Sequence, residues 1–116
     1  MQVQMELCLI PLGVEGSLAP WIARCERIFV DAGLRPDLHA WGTNVEGDWD
    51  TVMASVRRCH VELHAAGAPR LHSAIKLGTR IDKPQALADK VRAVRALDGR
   101  DLGRQDGQAG EGQDPA

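Results

Sequence analysis

Val3, Met5, Leu7 and Leu9 alternate with Gln4, Glu6 and Cys8 near the start of the chain. A period of two sends neighbouring side chains to opposite faces, so this run predicts a strand with one buried face, ending at Pro11 and Gly13. The period then changes. Leu18, Ile22, Cys25, Phe29 and Ala32 recur every three or four residues, which makes an apolar stripe along a helix. Ser17 stands where an N-cap belongs, and Pro20 falls in the first turn, where its missing N–H costs little. Gly33 supplies the stop.

A second strand is expected over about 35–41, and Pro36 near its start favours an edge position because it lacks a donor. Gly42 separates it from a third strand over about 43–46, in which Thr43 and Val45 share one face and Asn44 and Glu46 the other. Asp48 or Asp50 can cap the next helix, whose inner stripe is Val52, Val56, Cys59, Leu63 and Ala66 and which Gly67 and Pro69 end. The fourth strand alternates Leu71, Ser73, Ile75 and Leu77 with His72, Ala74 and Lys76. Asp82 and Gln85 have capping-box spacing with Pro84 in the first turn, so a third helix follows, presenting Leu87, Val91, Val94 and Leu97. From Asp98 to Ala116 there are five glycines in nineteen residues and almost no large apolar side chain, the composition of a disordered tail.

Strand–helix–strand–strand–helix–strand is the split βαβ order of a ferredoxin-like α+β sandwich, here with an additional C-terminal helix. Residues 1–97 are read as the domain and 98–116 as the tail. Both long helices would cover one face of the sheet. The other face would carry Gln4, Glu6, Cys8, His39, Trp41, His72 and Lys76, a mixture that suits solvent, a second subunit or a ligand. The fold alone does not choose a function.

Composition narrows the choice by exclusion. A chain of 116 residues is one domain, large enough for a core without staples. A formal charge of -2 gives no basic footprint for nucleic acid or an anionic membrane surface. No run approaches the length of a membrane span, and no basic, then apolar, then small-residue leader opens the chain, so a cytoplasmic protein is expected. Cys8, Cys25 and Cys59 are odd in number and widely spaced among apolar neighbours, which reads as buried free thiols.

Several residues could carry chemistry. His60 and His64 lie one helical turn apart, but Glu62 is misplaced for a zinc-protease motif and no third ligand is fixed, so no metal is expected. No glycine–serine elbow surrounds Ser17 or Ser73. An acylphosphatase-like hydrolase needs an arginine in a phosphate loop after the first strand, where this chain has Glu15. Arg80, Asp82 and Lys83 read as a helix start with solvated cations, whereas Lys76 sits within a strand and points away from the helices. Glu46, between Gly42 and Gly47, is the carboxylate best placed at a strand end to meet a ligand, and Trp41 beside it could anchor a ligand or a subunit.

These residues resemble a known family. Ile10-Pro11-Leu12-Gly13, Gly42-Thr43-Asn44-Val45-Glu46-Gly47, Ser73-Ala74-Ile75-Lys76 and Arg80-Ile81-Asp82-Lys83, in that order, are similar to the small thiamine-binding domain family over roughly residues 3–97. Ala40-Trp41 and Ala74 depart from the usual family pattern beside the presumed pocket. The resemblance implies non-catalytic binding of thiamine or its hydroxymethylpyrimidine moiety, for supply or sensing, with no other cofactor. It also implies a homodimer or homotetramer paired through its sheets. Trp41, Thr43, Asn44, Glu46 and Lys76 are the ligand-binding residues expected on this reading. The rival is a structural or regulatory oligomer without a small-molecule ligand.

Overall fold

The computed structural model describes residues 1–98. Its elements are β1 (Gln2–Leu12), α1 (Ala19–Asp31), β2 (Asp37–His39), β3 (Gly42–Asp48), α2 (Trp49–Ala65), β4 (Arg70–Thr79) and α3 (Leu87–Asp98). The four strands form one antiparallel sheet in the order β2-β3-β1-β4. This is the expected βαββαβ sandwich followed by a helix. The chain divides into a unit spanning Met1–Pro84 and a second beginning at Gln85.

Strict alternation decides the core. Val3, Met5, Leu7 and Leu9 of β1 are buried on the helix side, together with Thr43 and Val45 of β3. Cys25, Ile28 and Phe29 of α1 and Val52, Val56, Cys59 and Leu63 of α2 close over them. Phe29, Val52, Cys59 and Leu63 have no exposed surface at all, so the layer between helices and sheet carries most of the apolar burial. Cys25 and Cys59 meet in it, one from each helix. The hydrogen bond that Cys59 shares with Cys25, and then burial, push its thiol far above the ordinary value, so it stays protonated at neutral pH and acts as packing.

Local chemistry refines several boundaries. β2 is only three residues long and lies at the sheet edge, so the expected run over 35–41 is shortened at both ends. β3 runs two residues beyond Glu46, because Val3 pairs with Gly47 and Gln2 with Asp48. Glu46 is therefore inside the strand, and Asp48 is the residue that caps α2, accepting the Asp50 N–H at 3.1 Å. The two glycines that bracket the motif mark close approaches. A Cβ on Gly42 would stand 2.8 Å from the Leu7 carbonyl oxygen, and one on Gly47 would stand 2.7 Å from the Leu34 side chain.

Two caps differ from expectation. Ser17 Oγ accepts the Ala19 N–H at 3.1 Å, one residue outside the Leu18 N-cap position, so it braces the approach to α1. Asp82 does not start α3. It makes a two-pronged pair with Arg80 at 2.5 and 2.9 Å, which holds its carboxyl below the usual range, and α3 begins only at Leu87. Asp89 instead accepts the Ala86 N–H at 2.8 Å. Ala66, expected in the α2 stripe, is the exposed C-cap, and Ser55 is buried in that helix with its hydroxyl on the Thr51 carbonyl. No α3 residue is buried. Apart from Asp98, which closes α3, the expected tail lies outside the described residues.

Candidate ligand-binding site

Alternation along β3 separates the residues that the sequence groups together. Thr43 is buried on the helix side, whereas Asn44 and Glu46 point to the open face, where Glu46 is exposed. Lys76 pairs in register with Glu6 and joins them there. Trp41 belongs to neither strand. It sits in the β2–β3 turn, 84% exposed, with its N–H on His39 Nδ1 at 3.3 Å. Thr43 and Trp41 thus meet at one place, and Asn44 and Lys76 at another, with Glu46 farther along the same face.

The first place is a pocket of about 370 Å³ between α1 and the sheet. Leu7, Leu9, Ile22 and Phe29 make its walls largely apolar, and Trp41 stands at its lip. His39 of β2 lines its edge, and two further polar residues line it from β3 and α1. Thr43 comes from β3 because the pleat turns it inward, and Glu26 comes from α1 because positions 22, 25, 26 and 29 share one helical side. The Thr43 hydroxyl donates to Glu26 Oε2 at 2.7 Å, a length typical of a hydrogen bond to a charged acceptor. Among the described residues no arginine, lysine or histidine pairs with Glu26. Its charge therefore leans on a neutral hydroxyl in mostly apolar surroundings, an arrangement that a bound cation would improve.

The second place is a polar cluster on the open face. Glu6 accepts from His39 Nε2 at 3.3 Å and lies 3.9 Å from Lys76 Nζ. His39 Nδ1 accepts the Trp41 N–H, which leaves the proton on Nε2 to donate to Asn44 Oδ1 at 3.1 Å and to Glu6. Here the carboxylate already has its partners. Glu46 lies opposite Gln4 in the register, beyond this cluster.

Glu26 is a pocket-lining carboxylate that the sequence reading did not single out. The signal was available: it is the one carboxylate inside the apolar stripe of α1, flanked by Ile22, Cys25 and Phe29 at helical spacing. The histidine pair has structural roles. His60 Nε2 bonds Ser73 Oγ at 2.6 Å, tying α2 to β4, and His64 Nδ1 bonds the Ala68 carbonyl at 2.8 Å. Burial first, and then the charge of His64, hold the His60 ring below its ordinary pKa. No cluster of metal ligands occurs among the described residues, and no helix among them is long and apolar enough to cross a membrane.

Comparison with known proteins places this geometry in a family. Residues 5–95 match the family model described as thiamine-binding protein. An uncharacterised protein of the UPF0045 group from the cyanobacterium Synechocystis is 48% identical over 94 residues, covering 81% of this chain and 78% of the relative. A protein of the same group from Eremothecium gossypii is 35% identical over 91 residues, 78% of this chain and 87% of the relative. Among solved structures, a hypothetical protein from the archaeon Methanocaldococcus jannaschii superposes with a TM-score of 0.73 at 27% identity, over 80% of this chain and 95% of its own. A Thermotoga maritima protein named for a proposed role in thiamine biosynthesis or salvage gives 0.70 at 20% identity, over 82% and 100% of the two chains, and this likeness concerns the fold.

Proposed function

The chain belongs to the thiamine-binding protein family, and on that premise we propose that it holds thiamine, or its hydroxymethylpyrimidine part, in the pocket between α1 and the sheet, for supply or sensing rather than catalysis. The observation that carries the reading is the Glu26 carboxylate, which enters an apolar pocket with only the Thr43 hydroxyl as its hydrogen-bond partner among the contacts described above. An aminopyrimidine offers an exocyclic amine and a ring nitrogen to such a carboxylate, and the thiazolium ring of thiamine is itself a cation. Apolar walls suit the faces of flat rings, and a pocket of about 370 Å³ falls within the size range of small-molecule sites, roughly 300–1,000 Å³. Trp41 at the lip can close over a cationic ring with its aromatic face. In this reading Glu26 recognises, Thr43 orients Glu26, and Trp41 covers.

Asn44, Glu46 and Lys76 take a different part. They lie on the sheet face opposite Thr43, which also presents Ala74, and we assign that face to pairing with a second copy in a homodimer or homotetramer. Calorimetry on the full chain with thiamine, its phosphates and hydroxymethylpyrimidine tests the function. Binding tighter than about 1 mM, near -4 kcal/mol, is expected for at least one of them, and none binding at that level overturns it. The second reading, an assembly domain without a ligand, would give the oligomer in light scattering and no thermal stabilisation by any of these compounds.

A further inference from the structure

A groove of about 620 Å³ runs along the outside of α1 and shares a wall with the pocket, because Ile22, Glu26, Leu38 and His39 line both. Past that wall the groove meets Arg27 and Val30. Consecutive helical residues point about 100° apart, so Glu26 stands on the shared wall while its neighbour Arg27 reaches the groove alone. Val30 and Leu38 are 58% and 56% exposed, and they give the groove beside the two charges an apolar lining. Arg27 has no carboxylate partner among the described residues, a state it shares with Arg24, Arg35, Arg57, Arg70 and Arg95, and of these it is the one that lines the groove.

We propose that the groove is the second half of the ligand site, and that Arg27 receives an anionic group, a phosphate ester, at the far end of a ligand whose cationic ring lies on Glu26. The inference rests on the pocket reading above and names the form of ligand that the site prefers. Such a ligand carries positive and negative charge at opposite ends, and α1 presents the complementary pair in adjacent positions. A guanidinium matches phosphate through parallel N–H···O bonds, which an ammonium could not supply in the same geometry. Because Arg27 is exposed, water and salt weaken its effect, so the preference is modest, roughly fivefold.

Titration of the full chain with thiamine and with thiamine monophosphate, at low salt and at about 1 M salt, tests this. The monophosphate should bind roughly fivefold tighter at low salt, and the advantage should vanish at high salt and in Arg27→Gln. Thiamine itself should bind Arg27→Gln as it binds the natural chain. Equal affinities for the two compounds, or an Arg27→Gln variant that weakens both alike, would overturn the assignment while leaving the pocket reading intact. Binding of neither compound removes the pocket reading, and this inference with it.

Discussion

Two carboxylates on opposite faces of one sheet keep different company. On the open face, Glu6 lies 3.3 Å from His39 Nε2 and 3.9 Å from Lys76 Nζ. On the helix side, Glu26 has a hydroxyl 2.7 Å away and a largely apolar pocket around it. The Glu6 cluster is satisfied from within and open to water, so an arriving cation would displace partners it must then replace. Glu26 has nothing comparable to give up. The face that looks richer in chemistry along the sequence is thus the poorer place for a cationic ligand, and a single carboxylate in apolar surroundings is the better one.

The helix side should also be the side on which folding depends. Phe29 is wholly buried and forms part of the pocket wall, so Phe29→Ala should lower unfolding free energy by about 3–5 kcal/mol in urea titration. A loss below about 1 kcal/mol would mean that the layer over the pocket is not the core. Next in size is a contrast between neighbours. Thr43→Val keeps the shape but removes the donor to Glu26, and should cost about 1–2 kcal/mol, whereas Asn44→Ala should cost less because His39 retains Glu6. Equal costs would erase the distinction between the faces. Smaller still, Lys76→Ala should change stability by less than about 0.5 kcal/mol, since the ammonium is 86% exposed and 3.9 Å from its partner.

The smallest effect is one of pH. His60 titrates below its ordinary value in the folded chain, so the unfolded chain takes up a proton first. Its contribution is therefore intact above the ordinary histidine range, near pH 6.5, and is lost as pH falls through the folded value. Melting temperature should drop from pH 7.5 to pH 5.5 (about one unit either side of that value), and the drop should be shallower in His60→Gln. A steeper drop in the variant would contradict the role given to the Ser73 bond.

Much of the fold was legible because its determinants are local. The period of two in β1, the stripe on α1, Asp48 before α2 and Pro36 near the edge strand each act over a few residues, and each element stands where they point. Boundaries failed where pairing or side-chain partners decide. β3 extends past Glu46 because β1 offers Gln2 and Val3 as partners, and Asp82 is taken by Arg80 before it can cap α3. The family was legible from four short motifs. Of the candidate site, the alternation that divides Thr43 from Asn44 and Glu46 was legible, but where a pocket forms depends on how α1 lies on the sheet. Glu26 was passed over because a carboxylate on a helix ordinarily faces water, and only the packing of Ile22, Cys25 and Phe29 brings this one inward.

The central claim is that the ligand is recognised on the helix side of the sheet, and two matched substitutions test it most directly. Glu26→Gln and Glu46→Gln each remove one charge and keep the side-chain shape, on opposite faces of the same small domain. Calorimetric titration of thiamine into the natural chain and both variants should show affinity weakened by about 1.5–3 kcal/mol in Glu26→Gln, the range for a hydrogen bond to a charged group, and unchanged in Glu46→Gln. Loss of affinity in Glu46→Gln with Glu26→Gln binding normally would place recognition on the open face and contradict the account.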